Sequence, residues 1–383
     1  MAELDQRMQS LRDRMVASKI DLAIVPDADT ITYLTGYANY LGTEFGRPTL
    51  LLLSLDSDPV LITPLMEAEM CARMTSIRDI RPWADGAGDE WRAPLRAVLA
   101  ANPSAAIGLQ RRSLSVDIAD HLAAMLTGAR IVALDPLIAD LRMMKSPSEI
   151  AVMRQAGQVA VAMVEAARGA IGLDVPEYEI ALAVINAGTR KAAAMLEEEG
   201  DPFVSPTIYN LQILQSGTDT CMVHRRSSNR RLREGDPVYL CFCGIANFRH
   251  MKLGFDREFF VRSATEEQAR IYQTAVAAQQ RALAEIRPGV PCEAVNVAAE
   301  EVYREAGFSP GYRTGRSIGY SFLEAPELKR GETMLLRAGM TFAVDGGITV
   351  EGQFGGRVGD SIVVTETGFD YLTPYPRDLA VVG

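Results

Sequence analysis

The amino-acid sequence predicts a two-domain α/β protein, with an α/β domain over residues 1–143 and an α+β domain over residues 144–383. Three observations support this prediction. The chain has 383 residues, whereas a single domain usually holds about 100 to 200. Helical and strand-like patterns alternate in the first domain, and one order of helices and strands occurs twice in the second.

The first domain is predicted to begin with a helix over residues 5–18, where apolar residues recur at helical spacing. Short apolar runs then predict strands, because buried strands are brief and rich in branched side chains. These runs are DLAIVP (21–26), TLLLLSL (49–55), PVLIT (59–63), SAAIGLQ (104–110) and RIVALDP (130–136), with a helix predicted over 114–126. None of them carries a catalytic motif, so we expect the chemistry to lie in the second domain.

A helix-initiation signal marks the start of the second domain. Ser146 can cap a helix, Pro147 suits its first position, and Glu149 can complete a capping box. We therefore place the domain boundary near residue 144.

The second domain is predicted to contain two halves with the same element order. Helices over 147–171 and 177–198 precede strands over 238–246 and 254–262, and helices over 264–286 and 291–306 precede strands over 340–350 and 358–365. The repetition of this order indicates an internal duplication. We expect the segment of Gly352, Gln353, Gly355 and Gly356 to form a small, flexible loop.

Composition and charge exclude several classes of function. No apolar run approaches the roughly 18 residues of a membrane helix, so we expect a cytoplasmic protein. Five scattered cysteines suit reduced thiols better than disulfides. A net charge of -10 argues against a nucleic-acid surface, and the basic run at 225–233 is interpreted as a solvated loop.

Seven segments spread over the chain resemble the creatinase, aminopeptidase P and prolidase superfamily. They are TITYLTGY (30–37), EFGRP (44–48), LRMMKSPSEI (141–150), VPEYEIAL (175–182), the stretch from Ser216 to His224, GDPVYLCF (235–242) and LEAPELKRGE (323–332). The resemblance implies a creatinase-like N-terminal domain and a pita-bread domain of two pseudo-symmetric halves. It also implies an active site between these halves and a homodimer.

Metallopeptidases of this superfamily bind two metal ions through two Asp, one His and two Glu residues. The resemblance matches these ligands to Cys241, Gly254, Arg316, Asp345 and Gly359, of which only Asp345 is a carboxylate. Glycine offers no donor atom, and arginine is a permanent cation. We therefore expect no metal and no other cofactor. A zinc site at Cys241 and Cys243 lacks a second cysteine pair, so buried thiols are the simpler interpretation.

The catalytic histidine of creatinase, a member that works without metal, matches His224. Imidazole titrates near neutrality, so it can take a proton from water and return it to a leaving nitrogen. A hydrogen-bonded loop histidine, or a purely substrate-binding one, is the alternative. His250 falls in an apparent insertion between two strands and is a candidate substrate-binding residue.

The glutamates with which creatinase holds its guanidinium group match Asp256 and Asp345. Both are one methylene shorter here, so we expect a differently shaped polar group than that of creatine. Two facing carboxylates can also raise one pKa and supply a general acid. The alternative for Asp256 is an ion pair with Arg257 or Arg262.

Creatinase binds the substrate carboxylate with an arginine of the neighbouring subunit in a Phe-Gly-Arg-Pro motif, which matches Phe45 to Pro48. Arg47 offers a planar fork for a carboxylate, and Phe45 can line the pocket. The second carboxylate-binding arginine of creatinase falls on Leu323. Arg316 is a candidate replacement, with an ion pair to Asp345 as the alternative.

These observations predict a metal-independent hydrolase that cleaves a non-peptide C–N bond in a small zwitterion, as creatinase or ectoine hydrolase does. His224, Asp256 and Asp345 are the predicted catalytic residues. A lyase acting on a sulfonium or betaine compound and a non-catalytic binding protein are the alternatives. A metal-dependent Xaa-Pro dipeptidase agrees least with the sequence.

Overall fold

The structure, a computed structural model, describes residues 2–38, 41–103, 105–208, 213–222, 224–242 and 248–383. It divides into two compact units, Met1–Arg142 and Met143–Gly383. Each unit has a sheet and a core of its own. The sequence-based boundary lies after residue 143.

The first unit is a six-stranded mixed sheet with helices. Its strands are β1 (Leu22–Val25), β2 (Leu50–Ser54), β3 (Val60–Pro64), β4 (Asp79–Trp83), β5 (Ala106–Leu109) and β6 (Arg130–Ala133), in the order β4-β3-β2-β1-β5-β6. Its helices are α1 (Ala2–Ala17), α2 (Ala28–Thr35), α3 (Leu41–Phe45), α4 (Ala68–Met74), α5 (Arg92–Ala101), α6 (Val116–Met125) and α7 (Asp135–Met143).

The apolar runs of this unit form the strands that the sequence predicts. All four residues of β1 are buried, as expected for a strand with neighbours on both sides. Strand β4 was not predicted, because its sequence DIRPW mixes charged residues with a proline. It lies at the edge of the sheet, where a proline costs no ladder hydrogen bond.

The second unit is a nine-stranded sheet with four long helices, α8 (Pro147–Ala170), α9 (Glu177–Glu199), α10 (Glu266–Ala284) and α11 (Cys292–Glu305). Its strands are β7 (Ile213–Ser216), β8 (Pro237–Cys241), β9 (Asp256–Val261), β10 (Gly315–Ser317), β11 (Glu324–Leu328), β12 (Thr341–Val350), β13 (Phe354–Val364), β14 (Phe369–Tyr371) and β15 (Ala380–Val382). The main path runs β11-β10-β12-β13-β9-β8-β7, with β14 on β13 and β15 on β9. The repeated order of helices and strands is confirmed within the described residues, and residues 243–246 of the strand predicted over 238–246 lie outside them. The two halves meet where β13 pairs with β9.

Local signals explain how this unit is built. The predicted capping box is present, since the Ser146 side chain accepts from the Glu149 amide and the Glu149 carboxylate accepts from the Ser146 amide. The expected flexible loop is wrong for Gly355 and Gly356, which belong to β13. A Cβ at Gly356 would lie 3.2 Å from the Tyr272 backbone, so this glycine lets α10 pack closely on the sheet.

The basic run at 225–233 is not simply a solvated loop. Arg225 Nη1 lies 3.0 Å from a carboxylate oxygen of the fully buried Glu177, and Arg230 Nη1 lies 2.7 Å from Asp236. These arginines therefore hold the loop on the body of the unit.

Within the described ranges, no helix is long and apolar enough to cross a membrane. The four described cysteines, Cys71, Cys221, Cys241 and Cys292, carry free thiols. Cys243 lies outside the described residues.

Candidate active site

Four of the positions singled out by the sequence lie in one row across the sheet. Cys241 on β8 pairs with Asp256 on β9, Asp256 pairs with Gly359 on β13, and Gly359 pairs with Asp345 on β12. Directly paired residues point to the same face of a sheet. The junction of the two halves thus brings both aspartates together on one surface.

Three residues of this row, Cys241, Asp256 and Asp345, line the floor of a cavity of about 400 Å³. Polar and aromatic groups share its walls. The lining includes His224, Tyr239, Cys241, Asp256, Glu300, Tyr303, Tyr312, Arg313, Arg316, Phe322, Asp345 and Arg357. Four of the seven predicted site residues, namely His224, Asp256, Asp345 and Arg316, therefore meet in one cavity.

Asp345 and Arg316 form an ion pair at the floor of the cavity. Arg316 Nη1 donates to Asp345 Oδ2 at 2.7 Å, and the guanidinium carbon lies 4.3 Å from the centre of the Phe322 ring. Asp345 Oδ1 has no hydrogen-bond partner among the described residues. Burial raises the pKa of Asp345 to about 6, opposed by Arg316 and reinforced by the charge of Asp256.

The alternative ion pairs considered for Asp256 are occupied elsewhere. Arg257 Nη2 donates to Asp360 at 2.8 Å, and Arg262 Nε donates to the Gly383 carbonyl at 2.9 Å. Asp256 itself is 6% exposed and reaches the cavity. Its position beside Asp345 makes the two carboxylates one electrostatic unit.

The side chains of this site do not fit a pair of metal ions. Gly254 and Gly359 offer no donor, and a Cβ at Gly359 would lie 2.7 Å from Asp345 Oδ1 and 2.8 Å from Asp256 Oδ2. A Cβ at Gly254 would lie 2.4 Å from Ala343 Cβ and 3.1 Å from Arg316 Nη2. Among the described residues no three His, Cys, Asp or Glu side chains are grouped to hold a metal ion.

The loop that carries His224 is held from both sides. The Gln215 side chain donates to the carbonyls of Met222 and Arg225, which flank His224 in sequence. The buried Glu177 carboxylate accepts hydrogen bonds from the side chains of Ser216, Arg225 and Ser228 and from the Ser228 amide. His224 is exposed on the cavity wall, where its imidazole can reach both water and a bound molecule.

Arg357 is a cavity residue that the sequence analysis missed. Its guanidinium donates to the Thr220 carbonyl at 2.6 Å and to Thr349 Oγ1 at 2.8 Å, and lies 5.2 Å from the centre of the Tyr239 ring. None of these partners is charged. Arg357 and Gly359 are two residues apart on β13, so they lie on the same face of the sheet. This spacing was the signal in the sequence that could have identified Arg357 as a site residue.

Glu258 lies in the row next to the aspartates, since it pairs with Tyr239 and accepts from the Arg357 amide at 2.9 Å. It is 1% exposed, and its Oε1 has no partner within the described part of the chain. Burial raises the pKa of Glu258 to about 8. At neutral pH this carboxyl is mostly uncharged, which leaves the charge of Arg357 available to the cavity.

Three predicted residues are not among those that line the cavity. His250 has a left-handed backbone with φ of 67° next to a short bridge between Phe248 and Met251. Phe45 and Arg47 belong to the first unit, where Arg47 Nε donates to both carboxylate oxygens of Asp85 at 2.8 and 2.9 Å. Their roles in substrate binding stay predictions.

Comparison with known proteins places this site in a family. The family model "Metallopeptidase family M24" matches residues 151–366, and the model "Creatinase/Prolidase N-terminal domain" matches residues 7–144. The chain belongs to metallopeptidase family M24. The predicted creatinase-like N-terminal domain and pita-bread domain are confirmed, and the family members are hydrolases.

Relatives within the M24 family carry different activities in their names. An "Agropine synthesis cyclase" of Rhizobium rhizogenes is 29% identical and covers 96% of this chain and 95% of the relative. The "Probable dipeptidase PepE" of Mycobacterium bovis is 30% identical over 94% of this chain and 92% of the relative. A creatinase of a Bacillus species is 26% identical over 98% of this chain and 91% of the relative.

Among solved structures, an X-Pro aminopeptidase of Thermotoga maritima superposes with a TM-score of 0.84. It is 20% identical and covers 98% of this chain and 99% of that protein. This likeness concerns the fold alone, because one fold can carry many different activities.

Proposed function

We propose that this protein is a metal-independent hydrolase of a non-peptide C–N bond in a small zwitterionic compound, similar to creatinase or ectoine hydrolase. One observation carries the proposal. The five positions matched to metal ligands carry two glycines, an arginine, a cysteine and a single aspartate. The cavity nevertheless contains a histidine and a pair of carboxylates.

The distribution of charge in the cavity suits a zwitterion. Asp256 and Asp345 provide negative charge for a nitrogen group in the cavity. Asp345 Oδ1 is buried without a hydrogen-bond partner among the described residues, so an N–H donor of the substrate would satisfy it. Arg357 provides positive charge for a carboxylate without a competing ion pair among the described residues. It is better placed for that role than Arg316, which already pairs with Asp345.

The proposed reaction needs one proton carrier. His224 takes a proton from water as the water oxygen bonds to the carbon of the scissile C–N bond. The C–N bond then breaks, and His224 returns the proton to the leaving nitrogen. The aspartate pair orients the nitrogen group, which makes the attack effectively intramolecular.

We also propose that the protein is a homodimer in which Arg47 serves the neighbouring active site, as the Phe-Gly-Arg-Pro motif implies. Support comes from the motif and from the 26% identical creatinase. In this arrangement Arg47 would have to leave Asp85, to which it is bound in the single chain.

The test is proton NMR of purified, chelator-treated protein incubated with creatine, ectoine, dimethylsulfoniopropionate or an Xaa-Pro dipeptide. We expect C–N cleavage of a zwitterion, and a loss of about 100-fold or more in His224→Ala. Arg226→Ala, in the same loop, is the matched control and should retain activity. Cleavage of the dipeptide alone, or turnover that survives in His224→Ala, would contradict the proposal.

A second candidate is ring closure, favoured by the relative named as a cyclase, which aligns over nearly the full chain. The same histidine would then take the proton of a substrate hydroxyl, whose oxygen would bond to the carbon of the C–N bond in place of water. The C–N bond would break, and the histidine would return the proton to the leaving nitrogen. Labelled water separates the two reactions, because hydrolysis incorporates the water oxygen into the product and cyclisation does not.

A further inference from the structure

We infer that the Arg316 guanidinium is an internal substitute for the charge of a metal ion, and that it stabilises negative charge developing on the substrate. The catalytic part of this inference rests on the proposed function. Its electrostatic part concerns the free protein and can be tested alone.

Arg316 fills space left by a missing side chain. Its Nη2 lies 3.1 Å from the point where a Cβ at Gly254 would be. Gly254 is held in place, because its amide donates to Ser361 Oγ at 2.9 Å and its carbonyl accepts from the same hydroxyl at 2.7 Å. A Cβ here would also lie 2.4 Å from Ala343 Cβ, so the absence of a side chain leaves room for both Ala343 and the guanidinium.

The same guanidinium neutralises the carboxylate that remains. Arg316 Nη1 binds Asp345 Oδ2 at 2.7 Å, while Asp345 Oδ1 points toward the space beside Gly359. One cation thus lies beside Asp345, the one carboxylate left at the matched positions, where the family would otherwise bind divalent ions. Arg316 stays positive at every accessible pH, and its charge cannot be removed by a chelator.

The surroundings of Arg316 hold it in one orientation. The residue is 4% exposed, and the Phe322 ring covers one face of the guanidinium at 4.3 Å. It nevertheless reaches the cavity. A fixed cation in a poorly solvated site stabilises a developing oxyanion without reorganisation, which is the electrostatic part of the work of a metal ion.

Titration with Mn²⁺, followed by the electron paramagnetic resonance of the free ion, tests the electrostatic part. We expect the wild-type protein to bind Mn²⁺ no better than millimolar, and Arg316→His to bind at least about tenfold more tightly, because a cation is replaced by a ligand beside Asp345. Arg313→His is the matched control, since Arg313 also lines the cavity but pairs with Glu327.

Chemical rescue tests the catalytic part. Arg316→Ala should lose about 100-fold or more of kcat and recover part of it in millimolar guanidinium chloride, but not in sodium chloride of equal ionic strength. Arg316→Lys keeps the charge without the planar fork and should retain an intermediate rate. If the alanine variant does not fold, the rate of Arg316→Lys tests the same role.

The outcomes separate the two proposals. If no compound is hydrolysed by the wild-type protein, the proposed function fails, and the Mn²⁺ titration still decides the electrostatic inference. If the wild-type protein hydrolyses a zwitterion but binds Mn²⁺ as tightly as Arg316→His, or if Arg316→Ala keeps full activity, the role of Arg316 is wrong.

Discussion

Two arginine–aspartate pairs lie on opposite faces of the same sheet and have different surroundings. Asp360 follows Gly359 on β13 and is fully buried. It accepts hydrogen bonds from Arg257 at 2.8 Å, Arg377 at 2.8 Å, Gln279 at 3.0 Å and Thr373 at 3.2 Å. Asp345, on the cavity face, accepts from Arg316 at 2.7 Å, and its second oxygen has no partner within the described ranges.

The difference distinguishes a structural pair from a reactive one. The Asp360 carboxylate has its acceptor sites filled by protein donors, so it holds β9, β13 and α10 together and has no capacity left for a ligand. The Asp345 carboxylate has one buried oxygen without a partner among the described residues, and its pKa is raised to about 6. Unsatisfied polar groups and shifted pKa values of this kind are typical of functional sites.

The largest effect is expected from Asp360→Asn. This change leaves the buried Arg257 without its carboxylate, which typically costs about 3 to 5 kcal/mol of unfolding free energy. Urea unfolding at pH 7 measures it. Asp345→Asn should lose less than half as much, because Asp345 accepts from one guanidinium, whereas Asp360 accepts from two guanidinium groups, an amide and a hydroxyl. Equal losses in the two variants would remove the distinction between the pairs.

Asp345→Asn should instead act on catalysis. We expect kcat to fall about 100-fold, because the nitrogen group of the substrate loses a charged partner. In the wild-type protein, activity should decline below about pH 6, as the aspartate pair gains the proton that its raised pKa favours. An unchanged acid limb in Asp345→Asn would show that another group sets it.

The effect of Glu258→Gln depends on pH and is smallest near pH 5. The pKa of Glu258 is raised to about 8, so between pH 5 and 8 the folded protein holds a proton that the unfolded chain has released. Wild-type stability should therefore fall as pH rises, by up to about 1.4 kcal/mol per pH unit. Glu258→Gln lacks this dependence, so unfolding curves of the two proteins should diverge from pH 5 to 8. Parallel pH dependences would mean that Glu258 is ionised in the folded state.

The sequence predicts the strongly patterned parts of the fold well. The capping box at Ser146 and the long helices and strands of both halves follow from periodicity and from local hydrogen bonding. Short edge elements such as β4 and β11 escape prediction, because their stability comes from neighbouring strands rather than from their own residues. The same holds for Gly356, whose role depends on the approach of α10.

The candidate site is predictable only where a motif marks it. His224, Asp256, Asp345 and Arg316 were found because segments of known type surround them. Arg357 and Glu258 were missed, since their importance depends on burial and on cross-strand partners that no local pattern shows. The partner of Arg225 is likewise distant in sequence, as Glu177 begins α9.

The central claim, metal-independent hydrolysis, is tested most directly by measuring metal content and turnover on the same sample. Protein stripped by a chelator and shown by mass spectrometry to contain less than about one metal ion per hundred chains is compared with untreated protein, each with and without added Mn²⁺ and Co²⁺. Our account predicts equal rates of zwitterion hydrolysis in all samples. Loss of turnover on stripping and its return with either metal would contradict it.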